Sequence, residues 1–162
     1  MNPAQQFIQP VSEFTESVIQ VNRTSKKTTG GNKIGFAVLA VVGNKQGKVG
    51  VGHGKAGDVA SAIRKAVSGA KKHLIEVPVS NGTIPFGITL KRGAAKLILK
   101  PAPKGSGIIA GGAVRSVVAA AGIENISSKI LGTGNKLSNV YATLEALEQI
   151  SAMEKKFSAR KK

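Results

Sequence analysis

The strongest hydrophobic pattern in the chain is an alternation over residues 34–42, which predicts a long β-strand. One face of this strand carries five apolar residues: Ile34, Phe36, Val38, Ala40 and Val42. Leu39 and Val41 lie on the other face. A turn at Gly43–Gly47 and a second alternating run at Lys48–Gly52 predict that the strand continues into a β-hairpin. A weaker alternation at Ser17–Asn22 predicts a strand before it.

A helical pattern follows this hairpin, after a predicted loop at Gly52–Asp58. Asp58 is placed to cap the N-terminus of the helix. Apolar residues at i, i+3 and i+4 spacing then form a stripe typical of a core-facing helix. The stripe consists of Val59, Ala62, Ile63, Ala66, Val67, Ala70 and Leu74. The first unit is therefore predicted to have the order β-β-β-α.

The second half of the chain predicts a β-β-β-α-β-α unit. Its strands are expected at 74–81, Ile84–Leu90, Ala95–Lys100 and Ile126–Leu131. One helix is expected from Ala113, and a last helix is expected to be capped by Ser138 or Asn139. The predicted fold class is α+β, with two small α/β domains. The predicted segments are a flexible arm at 1–15, domains at 16–74 and 75–152, and a disordered basic tail at 153–162.

Charge changes this picture more than any other property of the composition. The chain has 24 Lys and Arg against 8 Asp and Glu, a formal net charge of +16. A polyanionic partner would neutralise such a field, so nucleic acid is the first candidate and an anionic membrane surface the second. The membrane is less favoured because the basic residues are not collected on one amphipathic helix.

Several other classes of protein are disfavoured by the composition. There is no Cys, which excludes disulfides and thiolate metal sites, and the two isolated His residues do not predict a metal site. No apolar run approaches the roughly 18 residues of a membrane helix. The N-terminus also lacks the order of a signal peptide, so we expect a soluble intracellular protein.

The segment Arg23–Lys33 contains cations, two adjacent glycines and no acid. It can be a solvated mobile loop, or a loop that follows the phosphates of RNA, and we favour the second. Together with nearby cations it gives the candidates for phosphate contact in the first domain. These are Arg23, Lys26, Lys27, Lys33, Lys48, Lys55 and Arg64.

The glycine-rich segment Lys104–Gly122 runs from a loop into a helix and carries no acid. Amides at such a helix N-terminus can bind an anion, but a tight turn before a packing helix is an equally good interpretation. Since the cations are densest earlier in the chain, we interpret this segment mainly as a joint between two partners: Lys104–Gly107 can still contact RNA, while the helix reaches another molecule. Arg115 has no acid in its own segment, so we expect its partner on another molecule.

The sequence offers no convincing catalytic site. Gly52–Gly57 matches G-x-G-x-x-G between a strand and a helix, but the preceding strand belongs to a hairpin, which disfavours a dinucleotide site. The same loop could offer amides to an RNA phosphate beside Lys55. No nucleophile is paired with a base, so we predict no enzyme activity, no cofactor and no small-molecule substrate. A nucleotide-dependent enzyme and a free RNA chaperone are the alternatives.

Three segments together resemble one family, the bacterial-type small-subunit ribosomal protein five. They are 21–31, 41–66 and 104–126, and the segment 132–143 is similar too. The resemblance implies a first domain like a double-stranded-RNA-binding fold without its first helix, and the family's own second domain. It also implies a cytoplasmic place in the small ribosomal subunit, where the protein would stabilise the head relative to the body.

The resemblance further implies partners and site residues. The partners would be small-subunit rRNA, ribosomal protein four, whose contact bears on translational accuracy, and ribosomal protein eight, near the path by which mRNA enters. Gly107 and Arg115 match the positions implied in the protein contact. The residues expected to bind rRNA are Arg23, Ser25, Lys26, Lys27, Thr28, Gly30, Gly31, Lys33, Lys48, His53, Lys55, Arg64, Lys104 and Gly105.

Overall fold

The computed structural model describes residues 14–160, which form two four-stranded sheets and three helices. The first sheet has the order β1-β2-β3-β4 and the second β5-β6-β8-β7. The strands are β1 Thr15–Thr28, β2 Gly31–Gly43, β3 Lys48–Ala56, β4 Leu74–Glu76, β5 Ile88–Arg92, β6 Ala95–Pro101, β7 Ile108–Ile109 and β8 Ile126–Ile130. The helices are α1 Val59–Lys72, α2 Gly112–Ala121 and α3 Lys136–Arg160. This architecture confirms the predicted α+β class with two small α/β units.

Helix α1 packs against the first sheet closely because β3 presents glycines to it. A Cβ atom added to Gly50, Gly52 or Gly54 would overlap the backbone carbonyl oxygens of α1. The small residues Ala62, Ala66 and Ala70 on the helix are completely buried against this strand. The predicted cap is confirmed, since the Ser61 amide donates to Asp58 Oδ2 over 2.9 Å.

Both predicted loops of the first unit are largely strand. The segment 23–33 forms the end of a hairpin, in which β1 and β2 stay paired as far as Thr28 and Gly31. The Gly52–Asp58 loop was wrong as far as Ala56, because β3 pairs with β2 up to that residue. In both places polar residues continue the ladder beyond the apolar run, so hydrophobic alternation alone ended the strands too early.

The strand expected at 74–81 in the second domain was wrong in length and in place. It is the three-residue β4, which pairs with β3 through Val49 and Ile75 and so belongs to the first sheet. The Val77 amide then donates to the Gly47 carbonyl over 2.7 Å, which anchors the chain as it leaves that sheet. The predicted boundary at residue 74 therefore falls inside the first unit.

The second sheet is covered on one face by α2 and α3, which share its core. Strand β5 begins at Ile88, four residues later than the predicted start, and the short strand β7 was missed. Strands β7 and β8 are parallel and are connected through α2, while the other pairs of this sheet are antiparallel.

The two units share one continuous hydrophobic core rather than a thin contact. Leu39 and Val41, on the face of β2 that turns away from α1, belong to the same cluster as Val114 and Val118 of α2. This explains the two-faced apolar pattern of β2.

Backbone hydrogen bonds hold the β2–β3 turn on the C-terminal end of α2. The amides of Lys45 and Gly47 donate to the carbonyls of Ala120 and Ala121 over 3.0 and 2.8 Å. Helix α2 ends at Gly122, which has a left-handed φ of 86° and whose added Cβ would overlap the Lys45 carbonyl. The helix of the glycine-rich segment thus connects the two units of the fold, a contact that the sequence did not predict.

The last helix is longer at both ends than predicted. It begins at Lys136, with Asn135 Oδ1 accepting from the Leu137 amide over 3.0 Å, so the predicted cap at Ser138 or Asn139 was wrong. The tail predicted at 153–162 is helical as far as Arg160, and Phe157 of this helix packs on Phe86 with ring centroids 5.2 Å apart. Within the described chain, neither α3 nor any other helix combines the length and apolarity needed to cross a bilayer. The predicted arm lies outside the described residues up to residue 13.

Candidate nucleic-acid interface

The exposed end of the β1–β2 hairpin concentrates positive charge. Every residue from 21 to 34 is exposed to solvent. Lys26 and Lys33 face each other directly across the two strands. Like charges in such a cross-strand pair destabilise a sheet, and within residues 14–160 neither lysine has an ion-pair partner. The pair is therefore unfavourable for folding unless an anion binds to it.

Lys55 joins this pair to form a cationic groove. The groove encloses about 310 Å³ and follows the side of the hairpin. Its lining consists of Thr24, Ser25, Lys26, Lys33, Ile34, Gly35, Lys55, Ala56 and Gly57. No acid is present among these lining residues, and Lys65 of α1 brings a further amine, with Nζ 3.4 Å from the Lys55 carbonyl. The fold thus brings together Ser25, Lys26, Lys33 and Lys55 from the predicted set.

A polar cleft of about 190 Å³ lies farther along the same face of the hairpin, where β1 meets the start of α3. His53 lies in it, opposite Leu39 in the β2–β3 register. Gln20, Asn22 and Asn135 supply amide groups, and Gln20 Nε2 donates to Asn22 Oδ1 over 2.9 Å. Amide and imidazole groups can donate to or accept from ribose hydroxyls and base edges.

Sequence reasoning did not single out these three amides. The alternation of β1 could have found two of them, since Gln20, Asn22, Thr24 and Lys26 follow one another at period two. Asn135 is contributed by a different part of the chain and has no such signal.

Other predicted cations lie on the opposite face of the hairpin. Arg23 pairs in register with Phe36, which packs in the cluster under α1, and Lys27 falls in the same phase. Thr29 and Gly30 form the turn and Gly31 begins β2, with Thr28 Oγ1 donating to the Gly31 carbonyl over 2.7 Å. Both faces of the hairpin end are therefore basic.

Arg64 is placed apart from the groove, on α1. It lines a separate surface depression together with Glu16, Lys71 and Lys72. Glu16 is paired there with Lys71 over 2.8 Å. This depression thus contains an acid that already neutralises one of its cations, unlike the groove at the hairpin end.

Lys48 lies at the other end of β3, so the fold does not bring it to the groove. Seven residues of extended chain separate it from Lys55, which is about 23 Å along the strand. Its amine is 3.7 Å from a carboxylate oxygen of Glu76. We place Lys48 outside the candidate interface for this reason.

The loop Lys104–Gly107, for which an anion site was one of two interpretations, uses the amides of Gly105 and Gly107 internally. Gly105 and Gly107 have left-handed φ angles of 94° and 68°, as glycine permits. Their amides donate to Asn125 Oδ1 over 2.9 and 3.2 Å, and Asn125 is only 4% exposed. These two amides are therefore not free for an anion, whereas the Lys104 side chain is exposed.

Gly107 and Arg115 are brought together where α2 begins. Arg115 is exposed, and its Nη2 lies 3.5 Å from the carbonyl of Ile108, the residue that follows Gly107. In the described part of the chain no carboxylate forms an ion pair with Arg115. Its guanidinium thus stays open to a partner close to Gly107.

The G-x-G-x-x-G segment is not a phosphate-binding loop. Gly52 and Gly54 lie inside β3, and their lack of a side chain is needed for the contact with α1. The Ser61 amide is already used by the cap, since it donates to the Asp58 carboxylate. This hydrogen bond is the main cause that lowers the pKa of that carboxyl from its usual value. This arrangement contradicts both the dinucleotide site and the amide cradle for an RNA phosphate.

Comparison with known proteins adds family information to this geometry. Residues 14–78 match the family model of the N-terminal domain of ribosomal protein S5, and residues 90–161 match that of its C-terminal domain. A small ribosomal subunit protein uS5 from Thermotoga maritima is 54% identical over 138 residues, which cover 85% of this chain and 78% of that protein. One from Thermosipho africanus is 48% identical over 152 residues, covering 94% and 86%. The uS5c protein of Pyropia yezoensis is 49% identical over 140 residues, covering 86% and 80%.

Proposed function

The chain belongs to the ribosomal protein S5 family, a family of structural and non-catalytic ribosomal components, and we propose that its hairpin groove binds small-subunit rRNA. One observation carries the proposal. Lys26, Lys33 and Lys55 converge on a groove whose lining residues include no acid. In this account the protein is a cytoplasmic constituent of the small ribosomal subunit.

The groove would work by neutralising phosphate. Each lysine that contacts a phosphate releases counterions from the RNA, which gives affinity that falls with salt. Such contacts position the protein without selecting bases. The amides of the neighbouring cleft are placed to contact 2′-hydroxyls or unpaired bases, which supplies recognition of RNA shape. Aromatic residues are only 4% of the chain, which disfavours stacking as the main interaction.

The shared core supports a role in holding rRNA regions in a fixed relation. Because the β2–β3 turn is hydrogen-bonded to the end of α2, the two units would move as one body. RNA bound to the hairpin would then be held relative to whatever the second unit contacts. We assign to this joint the stabilisation of the subunit head relative to its body.

The protein partners that we propose follow from the family resemblance and from the exposed guanidinium of Arg115. Gly107 and Arg115 would contact ribosomal protein four, and this contact would bear on translational accuracy. Ribosomal protein eight would be a further neighbour, close to the path by which mRNA enters. The exposure of Arg115 beside Gly107 supports the first of these assignments.

The test is a comparison of two triple variants with the same net charge. The groove variant carries Lys26→Gln, Lys33→Gln and Lys55→Gln. The control carries Lys72→Gln, Lys155→Gln and Lys156→Gln, which lie near the C-terminal ends of α1 and α3. Affinity for small-subunit rRNA is measured between about 50 and 200 mM salt.

The slope of log K against log salt should become shallower by roughly 2 to 3 in the groove variant, at 0.7–0.9 for each lost contact. The control should change it by less than about 1. If both variants keep the wild-type slope, or both lose the same amount, the groove is not the rRNA-binding site.

A further inference from the structure

The outer face of the second sheet is uncovered in the described part of the chain. Strand β6 alternates strictly, with Ala95, Leu97 and Leu99 buried in the core under α2 and α3. Lys96 and Lys100 therefore lie on the opposite face, with Ile98 between them. This face belongs to a different sheet from the hairpin groove.

The register of the sheet assembles four lysines on this outer face. Lys91 of β5 lies directly opposite Lys96, and Lys129 of β8 lies directly opposite Ile98. Lys100 is opposite Ser127. All four lysines are exposed. The residues of the four strands on this face are Thr89, Lys91, Lys96, Ile98, Lys100, Ile109, Ser127 and Lys129, with no acid among them.

The neighbouring Arg92, unlike the four lysines, interacts with side chains of the protein itself. It lies on the helix side of β5, with Nε 3.4 Å from a carboxylate oxygen of Glu145 and its guanidinium 5.2 Å from the centre of the Tyr141 ring. Among residues 14–160, no carboxylate forms an ion pair with any of the four lysines. The directly opposed Lys91 and Lys96 instead repel each other, which disfavours the sheet.

The spacing of these charges suits an extended polyanion. Lys96 and Lys100 are four residues apart, or about 13 Å along the strand, and the neighbouring strands are about 4.8 Å apart. Flexible ammonium groups spread over such an area can each meet a different phosphate.

Apolar residues on this face do not form a surface for a protein partner. Ile109 and Leu131 are 58% and 50% exposed, but Ile109 lies opposite Ser127, and Leu131 donates its amide to the carbonyl of Lys96. Lys129 lies opposite Ile98. Lysine and serine thus separate the apolar side chains, whereas the centre of a stable protein interface is apolar and depleted in lysine.

We propose that this lysine face of the second sheet is a second surface for the RNA backbone, separate from the hairpin groove. The inference rests on the proposed function, since it takes rRNA as the polyanion. It assigns Lys91, Lys96, Lys100 and Lys129 to phosphate contacts, and Ser127 is placed to donate to a phosphate or ribose oxygen.

The experiment compares the sheet variant Lys96→Gln, Lys100→Gln and Lys129→Gln with the groove variant and the control defined above. Each is measured for the salt slope of small-subunit rRNA binding and for the nucleotides it protects from hydroxyl radicals. The sheet variant should make the slope shallower by roughly 2 to 3. It should lose protections at nucleotides that the groove variant still protects.

The possible outcomes separate the two proposals. If the salt slope and the protections change in the groove variant but not in the sheet variant, the second surface is overturned and the proposed function stands. If they change in the sheet variant but not in the groove variant, the second surface is supported and the groove is not an rRNA-binding site. Sheet-variant protein that binds rRNA normally, but fails to join particles reconstituted with the other subunit proteins, overturns the proposal in favour of a protein partner. Loss of protections at the same nucleotides in both variants also overturns it.

Thermal unfolding of the sheet variant completes the design. Because the three replacements are exposed and reduce repulsion, the unfolding midpoint should stay at or above that of the wild type. If the sheet variant has both a lower unfolding midpoint and a shallower salt slope, its weaker binding results from lost stability, and the proposed RNA contact is overturned.

Discussion

Replacing the glycines of β3 one at a time tests why the G-x-G-x-x-G pattern is present. In the structure, Gly52 and Gly54 face α1, and an added Cβ would overlap the carbonyls of Ala66 and Ala62. Gly50 lies outside the pattern but has the same relation to Ala70. Gly57 lies inside the pattern, and its added Cβ would meet open space. Packing and nucleotide binding therefore predict different sets of sensitive glycines.

The expected loss of folding stability follows from the contacts at Gly52. Its added Cβ would also lie 2.6 Å from the Ala70 nitrogen, and because the Ala66 carbonyl oxygen is nearer still, α1 would have to withdraw by about 1.5 Å to restore van der Waals distance. Overpacking of this kind costs typically 1–3 kcal/mol, and rigid backbone on both sides places Gly52→Ala near the upper limit, at about 3 kcal/mol. For a chain of this size that lowers the midpoint of thermal unfolding by roughly 6–12 °C.

The assay is thermal unfolding followed by circular dichroism, for Gly50→Ala, Gly52→Ala, Gly54→Ala and the control Gly57→Ala. The first three should be destabilised, whereas Gly57→Ala should stay within about 0.5 kcal/mol of the wild type. The reasoning is refuted if Gly52→Ala and Gly54→Ala unfold like the wild type. Micromolar binding of NAD or ATP that is lost in Gly57→Ala would instead favour the nucleotide-dependent enzyme.

Two further predictions concern Asp58, which caps α1, and the exposed guanidinium of Arg115. Asp58→Ala should lower the urea midpoint at neutral pH, because the Asp58 carboxylate accepts a hydrogen bond from the Ser61 amide. That hydrogen bond lowers the pKa of the carboxyl from its usual value, so the difference from wild type should shrink as pH falls through the lowered pKa, and a difference that grows in acid would contradict this sign. Arg115→Ala should weaken co-assembly with ribosomal protein four, measured by pull-down from reconstituted particles, more than it weakens rRNA affinity; equal loss of both, or loss of neither, would count against this division.

Local patterns predicted the elements whose signals are local. The stripe from Val59 to Ala70 and the capping position of Asp58 gave α1, because helix periodicity and capping involve near neighbours in sequence. Leu74, which was also assigned to the stripe, lies in β4. The alternation of β2 also assigned its two faces correctly.

Tertiary pairing set the features that the sequence did not predict. The extension of β1 and β2 to Thr28 and Gly31 depends on the partner strand, and polar residues such as Lys26 and Asn32 carry no apolar signal for it. The assignment of β4 to the first sheet depends on its pairing with Val49. Neither pairing is visible in a local window.

The candidate site was predicted by residue type better than by arrangement. Lys26, Lys33 and Lys55 were all expected to contact RNA, but Lys26 and Lys27 were treated as equivalent, whereas the strand places them on opposite faces. For the loop of Gly105 and Gly107 an anion site and a tight turn were equally good interpretations, and the buried Asn125 accepts the hydrogen bonds of both amides. A side chain 18 residues away in sequence from Gly107 could not be found by motif spacing alone.

Sedimentation of the native protein through a sucrose gradient tests the central claim most directly. A structural constituent of the small ribosomal subunit should migrate with the small-subunit rRNA at low salt, and the groove variant should shift toward the top of the gradient as salt rises while the charge-matched control stays bound. A wild-type protein found wholly in the free pool, at every salt concentration, would contradict the account.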